Sequence, residues 1–317
     1  MISFRSHIVS MVSVFLALAV GVVLGGGPLK GHVDTRLADQ VQSDRQTRSA
    51  LQSEVATLRK SGAFDDAFAK TAAPGLIGDR LRGHVVSLVV LPGARQADVS
   101  ALTGLIGTAG GSVGGTLRAG TPLVEASGKQ LVDELGHQLD VRAGQLKIPA
   151  GASPYERIGA LVARAVATKQ RGGARVDTPA TTILGAMAAA HLLSARGRLS
   201  RQGDLVLFVA GPGRGDASRK QGSASIVTTL VRAVDAGSGG VVLAGPPASA
   251  REPGALKAVR ADAGTARGVS TVDTVGSAAG QVVTVLALAG QAVGQSGQYG
   301  AVGAADGAMP GARQAAD

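Results

Sequence analysis

From Ile8 to Leu24 the chain runs for seventeen positions without a charge, and only Ser10 and Ser13 are polar among Ala, Val, Leu and Phe. At a helical rise of about 1.5 Å per residue the run measures roughly 25 Å, and Gly25 to Gly27 extend it toward the ~30 Å of a hydrocarbon core. It predicts a transmembrane anchor over residues 1–27, in contact with membrane lipid. A cleaved secretory signal is the competing reading, because Arg5 gives a basic start and Ala17-Leu-Ala19 offers small residues. The run is longer than a usual signal core of about 7–15 residues, and the small residues sit inside it instead of after it, which favours an uncleaved anchor. Charge does not set the orientation, since Arg5 and the α-amino group on one side face Lys30 and Arg36 on the other.

Beyond the anchor the pattern turns polar. Between Val33 and Arg59, Leu37, Val41, Leu51, Val55 and Leu58 recur in alternating steps of four and three, with Asp44 and Arg48 filling the two intervening positions. That is a heptad seam, and it predicts a short coiled-coil helix over 30–62 and a homodimer through the five apolar residues. Two charges in the seam weaken such pairing, so one amphipathic helix lying on its own chain stays open as the alternative. Gly62 and then Ala73-Pro74-Gly75 read as the end of the helix and a linker.

From 76 to 295 apolar runs of strand length alternate with helix-like stretches. Val85 to Leu91, Leu205 to Ala210, Val241 to Ala244 and Val269 to Val272 read as buried strands. Three of them end alike, in Leu91-Pro-Gly93, Ala210-Gly-Pro-Gly213 and Ala244-Gly-Pro-Pro247. Each is followed by a helix-compatible segment, at Asp98 to Ala109, Ser223 to Ala236 and Gly254 to Ala263. Further helical stretches cover Glu125 to Leu139, Pro154 to Thr168, Pro179 to Ala195 and Ala278 to Val293. Strand, glycine turn and helix in repetition predict an α/β domain with a mainly parallel sheet and flanking helices. Residues 296–317, small and of low complexity, read as a disordered tail.

Composition narrows the chemistry. With no Cys there is no disulfide framework, thiolate metal site or cysteine nucleophile. Five Phe, two Tyr and no Trp supply base-stacking surfaces poorly, so no nucleic-acid partner is expected. The formal charge is +10, and the stretch from Tyr155 to Lys220 holds eleven basic residues against four acidic ones. Within it Arg196, Arg198 and Arg201 are the candidate basic partner surface, suited to lipid headgroups, a phosphate-bearing polymer or an acidic protein face. A solvated surface in an Arg-rich chain is the plainer account.

Ligands of open α/β sheets sit outside the carboxyl ends of the strands. There Gly211, Gly213, Arg214 and Gly215, in the loop that ends at Asp216, form a candidate anion loop beside Arg219 and Lys220. Turn chemistry in a chain with 47 Gly explains the loop as well, and neither the Walker lysine pattern nor a dinucleotide fingerprint is present. Asp273, just after the last strand, is a candidate for the same crevice or a turn residue. His7, His32, His84, His137 and His191 stand singly and no Gly-x-Ser-x-Gly elbow occurs, so no catalytic residue is assigned and an enzyme is not expected.

The opening Met1-Ile-Ser-Phe-Arg-Ser-His7 with Val14-Phe-Leu-Ala-Leu-Ala-Val-Gly-Val-Val-Leu-Gly25 resembles the start of the actinobacterial family named for mycobacterial copper transport protein B. Leu81-Arg-Gly83, Pro92-Gly93, Ser270-Thr-Val-Asp273, Gly280, Val285-Leu-Ala-Leu-Ala289 and Gly297-Gln-Tyr-Gly300 resemble its other recurrent stretches, and the likeness spans about residues 1–300. It implies a single-pass cell-envelope protein with its N-terminus inside and its main domain outside the cytoplasmic membrane. It further implies an association with copper homeostasis, described in mycobacteria as that of an outer-membrane channel component, and a link to a partner membrane protein and envelope assembly.

Copper enters by this resemblance alone. Copper(I) takes thiolate and thioether ligands and copper(II) takes imidazole, whereas the chain has no Cys and only Met1, Met11, Met187 and Met309. No cofactor is evident and the metal ligands stay unassigned. Met187 and His191, four apart, would share a helix face, in a sequence that reads as core. These features join into a membrane-anchored dimeric scaffold or component of a transport or envelope assembly. The rivals are a chain that binds or conducts copper itself, and an envelope enzyme or anion-binding α/β domain using the loop from Gly211 to Asp216.

Overall fold

The computed structural model describes residues 4–25, 29–143, 148–149, 151–197 and 199–311. The chain divides into two units, Met1–Phe64 and Asp65–Asp317. In the first, the apolar run is the helix α1 (Phe4–Gly25), of which Ser6–Gly25 is long and apolar enough to cross a membrane and has none of its length buried. The helix α2 (Leu29–Ile77) begins in this unit and continues into the second. Val41, Leu51, Val55 and Leu58 of the heptad seam are exposed; the side chain of Leu37 lies outside the described residues.

The expected stops at Gly62 and at Ala73-Pro74-Gly75 are corrected by the helix itself, which passes through Pro74 to Ile77. Proline removes one helical hydrogen bond and costs about 3 kcal/mol in a helix interior. Here Ala69, Ala73 and Ile77, one turn apart on one face, are buried against the α/β domain, and the N–H of Gly78 closes the last turn onto the Pro74 carbonyl at 3.0 Å. Tertiary packing therefore carries the helix across a sequence signal that would end an isolated one.

The second unit continues with β1 (Val85–Val90), α3 (Gln96–Thr108), β2 (Ser112–Ala119), α4 (Thr121–Val124), α5 (Lys129–Ala143) and α6 (Pro154–Val166). Next come β3 (Ala174–Arg175), α7 (Thr178–Ala189), β4 (Leu193–Ala195), β5 (Arg201–Gln202), β6 (Leu205–Val209) and α8 (Ala217–Gly237). The chain closes with β7 (Gly240–Ala244), α9 (Ala255–Ala261), α10 (Ala263–Ala266), β8 (Ser270–Val272), α11 (Ala278–Ala292) and β9 (Gln298–Tyr299). A seven-stranded sheet has the order β4-β2-β1-β6-β7-β8-β9, parallel throughout except for the β4 edge, and β3 pairs with β5 in a separate antiparallel ribbon.

Both faces of the sheet are covered, which is why its strands read as continuous apolar runs. Val86, Leu88 and Val90 of β1, with Leu205, Leu207 and Val209 of β6, face the layer formed by α2, α3 and α11. The alternate residues Val89, Val206, Phe208, Val241 and Leu243 face the layer that includes α6 and α8. The α/β class with a mainly parallel sheet and one N-terminal apolar helix is thus the observed architecture.

The disordered tail expected from residue 296 is a second correction. Gln298 and Tyr299 form the last strand and are buried, and the structure follows the chain to Gly311. Residues 312–317 lie outside the described residues.

Candidate functional site

β1 leads through α3 to β2 on one side, while its other neighbour, β6, leads on to β7 and β8. The reversal between β1 and β6 is the topological switch point, where the loops leaving adjacent strands part and open a crevice. Two spaces lie there. One, of about 340 Å³, is lined by the β1 and β6 loops together with Arg95, Asp98, Pro246 and Pro247. The other, of about 60 Å³, is bordered by Gly211, Gly213, Arg214 and Lys220.

The glycines of the candidate anion loop have identifiable structural duties. A Cβ on Gly211 would stand 2.2 Å from the carbonyl carbon of Gly93, so the β1 and β6 loops touch backbone to backbone and position 211 admits no larger residue without a shift. Gly93 and Gly215 hold φ of +87° and +86°, the left-handed region in which glycine is unstrained. Asp216 caps α8, accepting the N–H of Arg219 at 2.8 Å, so a carboxylate of the chain itself already faces that helix N-terminus. At the mouth, Arg95 grips the buried Asp98 with two bonds of 3.0 and 2.7 Å and reaches the Gly276 carbonyl at 3.2 Å. The Asp98 hydrogen bond and then its charge raise the Arg95 pKa above its ordinary value. Arg95 and the N-terminus of α8 thus already have carboxylate partners from the chain, while Arg214 and Lys220 border the smaller space.

Asp273 does not open into this crevice. It is fully buried, bonded at 3.0 Å to Nη1 of Arg260, and its carboxylate accepts the N–H groups of Ala301 and Val302 at 2.7 and 3.0 Å. Arg260 also donates to Thr271 Oγ1 at 2.7 Å, to the Tyr299 carbonyl at 2.8 Å and to the Val302 carbonyl. Thr271 in turn donates to Gln298 Oε1 at 2.6 Å. The recurrent stretches Ser270-Thr-Val-Asp273 and Gly297-Gln-Tyr-Gly300 are therefore two halves of one device, a strap that binds the chain end across β8.

Of the proposed basic surface, Arg196 and Arg201 are exposed, and Arg198 lies outside the described residues. Met187 and His191 do not share a helix face: Met187 is in the core, whereas His191 sits past the end of α7, exposed and at φ 54°. The sequence also hid a pair. His84 Nδ1 lies 2.6 Å from Asp204 Oδ2, both nearly buried, and Asp204 Oδ1 accepts the Val85 N–H at 2.7 Å. The two are 120 residues apart, and only the adjacency of β1 and β6 joins them. Among the described residues no group of three or more His, Asp or Glu side chains is placed to hold a metal ion.

The model of the family described as copper transport outer membrane protein, MctB, matches residues 1–310. The copper transporter MctB of Mycobacterium tuberculosis is 28% identical over 313 residues, covering 98% of both chains. That of Mycobacterium leprae is 30% identical over 315 residues, covering 95% of this chain and 96% of the relative. A match that begins in the apolar helix and runs through the strap leaves one conclusion about kinship: the chain belongs to the MctB family.

Proposed function

We propose that this chain is a membrane-anchored component of a copper-transport assembly in the cell envelope, held by α1, self-associating through the apolar stripe of α2, with its α/β domain outside the cytoplasmic membrane. The observation that carries this reading is the extent of the family match, which takes in the membrane-length helix, the long helix and the whole sheet together. The relatives are named copper transporters, so copper stands as cargo and not as a resident cofactor.

This chain's soft donors favour handling of copper by an assembly over capture by one copy. Met11 is on α1, Met187 is sealed in the core and Met309 is on the chain end. The sheet is apolar on both faces and covered by helices, unlike the strands of a membrane barrel, which face lipid on one side and a lumen on the other. A conduit would draw on several copies of α1, where Ser10 and Ser13 supply the polar positions. The role of the chain is anchoring and carriage, not catalysis.

Loss of the gene is expected to alter cellular copper content, and the full chain to restore it. A version with residues 1–27 replaced by a cleaved secretory signal is expected to fail. The purified full chain in neutral detergent should have the mass of a dimer and bind copper tightly at well below one ion per chain. A monomer binding copper stoichiometrically would overturn the reading in favour of a chain that holds the metal itself.

A further inference from the structure

We propose that the amino end of the sheet carries a docking face for a phosphate-bearing polymer, centred on Arg175 and Arg201. Three loops distant in sequence build it. In the β3–β5 ribbon Arg175 lies directly opposite Arg201, and Nη2 of Arg201 reaches the Gly173 carbonyl at 3.3 Å. Gly172 sets this loop, which carries Arg171, against the strand entry that follows Arg80, its Cβ position being 3.4 Å from the Gly83 carbonyl. On the other side the N–H groups of Ser200 and Arg196 donate to the Gly114 and Thr116 carbonyls of β2 at 2.9 and 2.8 Å. Arg80, Arg171, Arg175, Arg196 and Arg201 are all exposed.

What sets these five apart is their place on adjoining loops around a directly opposed arginine pair with no counter-charge; Arg118, Arg214, Arg219, Arg251 and Arg267 also lack a carboxylate partner among the described residues but are not opposed across a ribbon. Arg82, Arg95, Arg157, Arg164, Arg232 and Arg260 each pair with a carboxylate, and among the described residues none of the five does. Like charges directly opposite on a ribbon repel. A fold that keeps such a conflict, with nothing of its own to relieve it, marks a surface selected for something outside itself. A planar guanidinium fork fits phosphate oxygens two at a time, which an ammonium does not. The charges are spread over three loops instead of gathered in a pocket, so the ligand that meets them has repeated phosphates along a chain. No Phe, Tyr or Trp stands in residues 78–84, 169–175 or 194–202, and His84 is nearly buried against Asp204, so the face is poor in base-stacking rings and the polymer's phosphates carry the recognition. This inference does not depend on the copper reading.

The test uses the full chain in nanodiscs of neutral lipid, titrated with long-chain inorganic polyphosphate at several salt concentrations. Binding should weaken as salt rises. The double variant Arg175→Gln/Arg201→Gln should bind about tenfold more weakly, with a log–log salt slope shallower by about 1.4, at roughly 0.7 for each phosphate of a single-stranded polyanion that is no longer neutralised. Arg251→Gln, elsewhere on the domain, should bind as the parent does. Arg175→Gln alone should melt no lower than the parent without polymer, since it removes a repulsion. Unchanged binding by the double variant would overturn the proposal. So would equally tight binding of polyglutamate of matched charge, or displacement of polyphosphate by a lower concentration of single-stranded oligonucleotide.

Discussion

Gly300 holds φ +132°, and a Cβ there would stand 2.1 Å from Oδ1 of Asp273. The glycine is what lets the chain end lie flat on a buried carboxylate. Asp273 and Arg260 answer each other at 3.0 Å with 0% and 7% of their side chains exposed, so removing one leaves the other's charge uncompensated in the interior. Breaking a buried pair in this way costs about 3–5 kcal/mol. Asp273→Asn should therefore lower the melting temperature by about 10 °C, at roughly 2–4 °C per kcal/mol for a domain of this size. Gly300→Ala should also free the strap, read as rapid proteolytic cutting between 297 and 311 in a domain that otherwise stays folded. A parent-like melting curve for Asp273→Asn would show that the pair is not structural. The sequence points to Asp273 as a residue with chemistry, but nothing in it shows that the partner is an arginine on α9 and that the ligand is the chain's own end.

At the scale of elements, a helix start is legible where its chemistry is local and recognised, although α8, read from Ser223, begins six residues earlier at Ala217 behind its Asp216 cap. Ser153-Pro154 with Glu156 three positions after the serine predicts the start of α6, and the structure shows a full capping box there. Helix ends are not. The stretch read as helical to Ala195 stops at Ala189, because Leu193–Ala195 is taken by β2 as an antiparallel edge strand. β2 itself escapes a pattern search, since Gly114 and Gly115 stand where side chains would strike Arg201 and Leu199.

Those same caps set an acid limit on stability. The Ser153 N–H and hydroxyl, with Arg232 adding to them, hold Glu156 below its ordinary value. Asp177 is lowered by Arg164 and by the Ala180 N–H, and Asp262 by the Thr265 N–H. Each ionises more readily folded than unfolded, so its contribution is complete above the ordinary carboxylate range of about 4 and is lost as pH falls through the lowered folded value. Asp235 works in the opposite sense: burial raises it, and charging it as pH rises costs stability. With three groups against one, the melting temperature should fall on acidification below about pH 4, and Asp177→Asn should flatten that fall. A melting temperature independent of pH between about 3 and 6 would refute the assignment.

At the scale of the whole chain, the parallel sheet was legible because strands buried on both faces need uninterrupted apolar runs, whereas the arginine face was legible only at Arg196 and Arg201, because Arg80, Arg171 and Arg175 come from loops that meet them only after the sheet forms. The long helix poses the remaining question, since composition suggests a linker near Pro74 and the structure makes its last turns part of the core. Ile77 is fully buried, Ala69 and Ala73 nearly so, and Asp66 Oδ1 accepts the N–H of Ala278 at 2.8 Å, answering the first free N–H of α11. Full burial of a side chain like Ile77 is worth about 1.5–3 kcal/mol and a helix cap about 1. A fragment from Asp65 onward should consequently melt in one cooperative step, while a fragment from Asp79 onward should melt about 10 °C lower at the same 2–4 °C per kcal/mol. Equal melting temperatures would mean that the end of α2 merely rests on the domain; the expected gap would make it a structural element, so that the helix leading from the membrane segment is also a wall of the sheet's own core.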